Sequence, residues 1–169
     1  MTYELEGCNH NLAGYFIMDK IDFESFRDTV YEKGVKEVFK MRSVLVKSLG
    51  ISLWKDVGHE IAKDQLKKFE GDINTEDDCM KAVEDMCNEE MDFSKPLWEF
   101  YLKEDFTENE SAVLIRMHHA FSDANGFVGL MSCLNDEKYK LKTDKKFTEL
   151  GLFSNIFLSI VGPLYTIYF

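Results

Sequence analysis

Apolar and polar positions recur in two rhythms along this 169-residue chain. One repeats every second residue and the other at three- and four-residue steps, the signatures of strands and amphipathic helices. Residues 12–18 read as a short strand. Asp22 then caps a helix that carries Phe23, Phe26, Val30, Val38 and Phe39 on one side, with Gly34 weakening its middle. From 44 to 57 the pattern turns extended, with a turn expected at Gly50; Ile51, Leu53 and Lys55 alternate with Ser52, Trp54 and Asp56, which chooses no face cleanly. A clearer helix begins at Thr75, an N-cap followed by Glu76, Asp77 and Asp78, where acids complement the helix dipole. Its apolar stripe is Met80, Val83, Met86 and Cys87, expected to be core packing. Two strands follow, 98–102 and 112–117, joined by the polar stretch 104–111 as a hairpin. A third helix starts near Asp123 with Phe127, Leu130, Met131 and Leu134 on one face. Residues 136–146 are lysine-rich and read as a linker.

The last segment differs in kind. Residues 150–169 carry no charge, and about 20 apolar residues are what a helix needs to cross a bilayer. Gly151, Asn155, Gly162, Pro163 and Thr166 interrupt the run. It therefore fits either a membrane-inserted or interfacial helix or a buried helix of a longer soluble protein.

Composition narrows the class. Aliphatic, aromatic and sulfur residues make up 45% of the chain, enough for a core, and two prolines with 14% aromatics argue against disorder. The net charge of −11 argues against a nucleic-acid partner. It also means that an anionic ligand would need local donors. Cys8, Cys79, Cys87 and Cys133 form no C-x-x-C pair and no zinc-spaced cluster, so reduced thiols in a cytosol-facing protein are expected, without a metal. The acidic N-terminus has no apolar signal region, which makes secretion unexpected.

Chemistry concentrates in His118-His119-Ala120-Phe121-Ser122-Asp123, where an apolar strand runs into a helix. A strand end holds a side chain rigidly, and histidine is the side chain suited to moving a proton near neutral pH. On spacing alone the same residues equally fit an ordinary strand edge. A shared metal ion fits less well, because neighbours on a strand point to opposite faces.

The pattern His118-His119-x-x-x-Asp123 resembles the HHxxxDG signature of the wax ester synthase/diacylglycerol acyltransferase family. Upstream, Met91-Asp92-Phe93-Ser94-Lys95-Pro96-Leu97-Trp98-Glu99-Phe100-Tyr101-Leu102 resembles that family's stretch ending in Pro-Leu-Trp before a strand. The likeness runs from about Asn9 to Asn135. One departure is visible: the family's Gly after the Asp is Ala124 here, followed by Asn125 and Gly126.

The resemblance implies an α/β fold: a mixed, mostly antiparallel sheet with packed helices. This is one lobe of a two-lobed coenzyme A-dependent acyltransferase of the chloramphenicol acetyltransferase type, with the active site in a tunnel between lobes. It implies transfer of a fatty acyl group from acyl-CoA to a diacylglycerol or a long-chain alcohol, making triacylglycerol or wax ester. The second histidine, His119, would be the general base. His118, Asp123, Asn125 and Gly126 would support the motif, with Asp123 structural, and Ser122 need not be a nucleophile because no acyl-enzyme is expected. No permanently bound cofactor is implied; acyl-CoA is a substrate. The expected layout is an N-terminal lobe over 1–135, a linker over 136–149 and a tail over 150–169 that anchors the domain, cytosol-facing, at a membrane such as the endoplasmic reticulum. The second lobe is expected to be missing from this chain. The rival reading is a truncated, non-catalytic relative that serves as an interaction or membrane-tethering subunit.

Overall fold

Strand propensity and burial on both faces put the chain's most continuously apolar segment at the centre of a sheet. A computed structural model of the chain describes residues 10–48 and 51–135, all within one compact unit, Glu6–Tyr139. Its strands are β1 (Asn11–Asp19), β2 (Ser43–Ser48), β3 (Ile51–Asp56), β4 (Leu66–Lys68), β5 (Trp98–Lys103) and β6 (Glu110–His118). Its α-helices are α1 (Phe23–Val30), α2 (Glu60–Lys63), α3 (Glu76–Asn88) and α4 (Ala124–Leu134). The main sheet has the order β1-β6-β5-β4; β6 pairs antiparallel with β1 and β5, and β4 pairs parallel with β5. β2 and β3 form a separate antiparallel pair. The architecture is the mixed, mostly antiparallel α/β sheet with packed helices that the resemblance implied.

β6 is buried on both faces because helices cover both. Val113, Ile115 and Met117 join Trp98, Phe100 and Leu102 of β5 in a core with Phe26, Val30 and Leu130 of α1 and α4. Register makes this automatic: Trp98 faces Met117, Phe100 faces Ile115 and Leu102 faces Val113 across the ladder. The alternate residues Ala112 and Leu114 pack under α3 with Cys79, Val83 and Met86.

Two helices differ from their sequence expectation. The first stops being α-helical after Val30 and continues as one wide π-turn over Tyr31–Val35, followed by a 3-10 turn over Phe39–Arg42. Val38 and Phe39 therefore do not extend the α1 stripe, and Phe39 is exposed. Gly34 marks the change: a Cβ there would lie 2.9 Å from Met41 Sδ and 3.1 Å from Leu134 Cδ2, so the glycine admits close packing. In α3 the buried face is Cys79, Val83 and Met86, steps of four and three. Met80, one residue round the helix, is exposed, and Cys87 is half-buried. The Thr75 cap is observed as a full capping box with Asp78. In β3, Trp54 packs towards the core while Ile51, Leu53 and Lys55 face outward. Among the described residues no helix is long and apolar enough to cross a membrane. Gly50, Cys8, the linker 136–149 and the tail 150–169 lie outside the described residues.

Candidate active site

The end of β6 separates the two histidines. His118 is the last strand residue, 2% exposed. Its backbone N–H donates to Leu97 O at 3.1 Å and its carbonyl accepts from Phe121 N–H at 2.8 Å, which turns the chain. Its Nδ1 accepts from Ala120 N–H at 3.0 Å, so that nitrogen carries no proton and the imidazole is held with its proton on Nε2. Phe93 stands edge-on to the His118 ring at 5.2 Å. The two sequence blocks that carry the family resemblance are thus in direct contact, through Leu97 and Phe93.

His119 lies just past the strand. Its N–H donates to His10 O at 2.8 Å, which ties its backbone to the start of β1, while its side chain is exposed. It lines a cavity of about 440 Å³ together with Lys40, Phe121, Ser122, Asp123, Gly126 and Leu130. Asp123 is the N-cap of α4, its Oδ1 accepting from Gly126 N–H at 2.8 Å. A Cβ at Gly126 would press on Ser122 Oγ, so a side chain there would require the serine hydroxyl to move. Ser122 Oγ donates to Asp123 O at 3.0 Å. Asn125 sits in the first turn of α4.

Lys40 is the site residue that the sequence reading missed. It reaches the cavity from a 3-10 turn some eighty positions upstream, donating to Phe121 O at 3.0 Å with its ammonium 5.1 Å from the Trp54 ring centre. Trp54 in turn meets Phe121 edge-on at 6.5 Å. A cation at the cavity wall is the kind of local donor that an acidic protein needs for an anionic substrate.

A second cavity, of about 620 Å³, lies on the same side of the sheet between β1, α1 and α4. Gly14, Phe16, Ile17, Phe26, Phe127 and Met131 are among its walls, and its character is apolar. Among the described residues no cluster of three or more His, Cys, Asp or Glu is placed to hold a metal ion.

Comparison with known proteins shows where the fold recurs and which family model part of the chain matches. The fold is similar to part of the SgcC5 protein from Streptomyces globisporus: TM-score 0.61, 18% identity, 76% of this chain and 29% of that one. The wax ester synthase/diacylglycerol acyltransferase from Marinobacter aquaeolei VT8 matches with TM-score 0.57 and 17% identity over 73% of this chain and 33% of that one. The starter condensation domain of rhizomide synthetase RzmA matches with TM-score 0.56 and 11% identity, over 74% and 30%. Residues 74–150 match the family model "Wax ester synthase/diacylglycerol acyltransferase catalytic domain". The chain spans about a third of the length of the solved structures it matches. No curated protein sequence matches it.

Proposed function

We propose that this domain is the N-terminal half of an acyl-CoA-dependent O-acyltransferase, with His119 as its general base. The observation that carries the reading is the exposed His119 imidazole on the wall of the 440 Å³ cavity, beside a buried, backbone-locked His118. In the proposed reaction His119 takes the proton of an acceptor hydroxyl as that oxygen attacks the thioester carbonyl. The resulting oxyanion collapses, the C–S bond breaks, and the coenzyme A thiolate takes the proton back from His119. The products are an ester and free coenzyme A. Asp123 acts on this chemistry only by capping α4 and so fixing the turn after His119.

The acceptor in this reading is a lipid hydroxyl, on a diacylglycerol or a long-chain alcohol, and the product is triacylglycerol or wax ester. The apolar 620 Å³ cavity suits a hydrocarbon chain. A second lobe, from a longer form of the protein or a separate chain, would close the tunnel over His119. The domain would work on the cytosolic side of a lipid-making membrane such as the endoplasmic reticulum. Ester formation from labelled acyl-CoA tests this. The 169-residue chain alone should turn over little, and adding a second lobe from a wax ester synthase, fused or in trans, should restore it. Complete inactivity of a well-folded two-lobed protein on both acceptors would sink the reading.

A further inference from the structure

The turn that presents His119 has an acceptor for every amide from His118 to Phe121. His118 N–H goes to Leu97 O, His119 N–H to His10 O, Ala120 N–H to His118 Nδ1 and Phe121 N–H to His118 O, at 2.8–3.1 Å. Those bonds fix the entry to the turn. Its exit is fixed from elsewhere: Lys40 Nζ donates to Phe121 O at 3.0 Å, across 81 positions. Phe121 is buried, with its ring edge-on to Trp54. Packing therefore decides where the residue sits, while the ammonium decides which way its peptide plane faces.

Lys40 is itself held in place. It lies in the 3-10 turn Phe39–Arg42. Trp98 Nε1 donates to Met41 O at 2.9 Å, Ser43 Oγ to Phe39 O at 2.8 Å, and Arg42 Nη1 to Lys36 O at 2.7 Å. The Lys40 ammonium also stands over the Trp54 ring, 5.1 Å from its centre, a cation–π contact. A chain of contacts thus joins the Pro-Leu-Trp stretch to the histidine motif: Trp98 indole, Met41 carbonyl, Lys40 ammonium, Phe121 carbonyl. A lysine gives up more side-chain freedom than most residues when it is held in one conformation. The charge-assisted bond and the ring contact offset that cost, and they leave the turn with one orientation.

We propose that Lys40 is a positioning residue: its ammonium clamps the Phe121 carbonyl and so fixes the turn that holds His119 on the cavity wall. The clamp stands on geometry, whereas its consequence for turnover rests on the acyltransferase reading. Two variants separate the clamp from general packing. Lys40→Met keeps an unbranched stem beside Trp54 and removes the donor; Lys40→Arg keeps a donor and a cation. In the 169-residue chain, amide hydrogen exchange at His119, Ala120 and Phe121 should quicken about tenfold or more in Lys40→Met, while the amides of β5 keep their wild-type rates. Lys40→Arg should recover most of the lost protection. In a protein that carries a second lobe, Lys40→Met should lower kcat on the order of tenfold with KM for acyl-CoA little changed, and Lys40→Arg should restore most of the rate. Unchanged exchange in the turn of Lys40→Met would overturn the proposal, as would exchange that rises equally in the turn and in β5. A raised KM with unaltered kcat would overturn it too, by making Lys40 a substrate contact. A two-lobed protein that forms no ester would sink the acyltransferase reading alone, and the exchange rates would still decide the clamp.

Discussion

The two faces of the main sheet are built on opposite plans. The α3 face sets a buried ion-pair network beside its apolar cluster. Glu99 and Arg116 are register partners on β5 and β6, 8% and 5% exposed. Arg116 donates through Nε and Nη2 to Glu99, and through Nη1 to Glu89 at 3.0 Å and to Met86 O at 3.3 Å, which ties the end of α3 to the sheet. Lys67 and the Tyr101 hydroxyl complete the shell of Glu99 at 2.6 and 2.9 Å. The α1/α4 face is apolar and contains the 620 Å³ cavity, and the His119 cavity opens at its edge. The difference teaches where binding can occur. A closed polar network has two discrete states, made or broken, and specifies one geometry. An apolar face with unfilled volume accepts a ligand at little structural cost.

The largest stability effect should come from breaking the closed face. Arg116→Met leaves the Glu99 carboxylate buried with Lys67 and Tyr101 as its remaining partners, and should cost about 3 kcal/mol in denaturant unfolding. Adding Glu99→Met should recover most of that loss, because two well-packed apolar residues replace a buried ion pair without an orphan charge. If the double variant is as unstable as the single one, the network does more than satisfy itself.

Acidification probes the same face more gently. Burial pushes the Glu99 carboxyl up, but hydrogen bonds from Lys67 and Arg116 outweigh it and hold it below its ordinary value. A carboxyl depressed on folding contributes stability that is complete above its unfolded value, about 4.3, and is lost as pH falls through the folded one. Exposed Asp22 and Asp78 are lowered by their capping hydrogen bonds and act in the same direction. Melting temperature should therefore drop as the pH falls below about 4, and Glu99→Gln should show a shallower drop than wild type.

The smallest effect belongs to the open face. Gly14 in β1 lines the 620 Å³ cavity, and a Cβ built on it meets nothing within 4 Å. Gly14→Val should stabilise by up to about 1 kcal/mol through strand propensity. In a two-lobed enzyme it should also reduce use of the longest acyl chains. A loss of stability would mean that this volume is already filled.

How much of this was legible depended on whether a signal was local. The Asp22 and Thr75 caps were readable because a cap is a contact within three residues. Strand β6 was readable from its unbroken apolar run. The end of α1 was not, because the π-turn at Tyr31–Val35 answers to Met41 and Leu134 pressing on Gly34, contacts of long sequence range. Strand β4, three residues long, exists by its parallel pairing to β5, and nothing in Leu66–Lys68 alone announces it. The Glu99–Arg116 pair is likewise a product of register. At the site, His118, His119 and Asp123 stood out as a motif, but Lys40 enters from a distant turn. The signal that could have found it was the acid-free run 38–55 in an acidic chain.

The central claim is that His119, and not His118, is the group that moves the proton. The most direct measurement is turnover and melting temperature of His119→Ala and His118→Ala side by side, in a protein that carries a second lobe. The account predicts that His119→Ala melts as wild type does and loses a factor on the order of 10² to 10⁴ in rate. It predicts that His118→Ala, which gives up the bond from Ala120 N–H and the Phe93 contact, melts lower by an amount corresponding to about 1–3 kcal/mol and loses less in rate. A well-folded His119→Ala protein that keeps its turnover, beside a His118→Ala protein that loses it, would contradict the account.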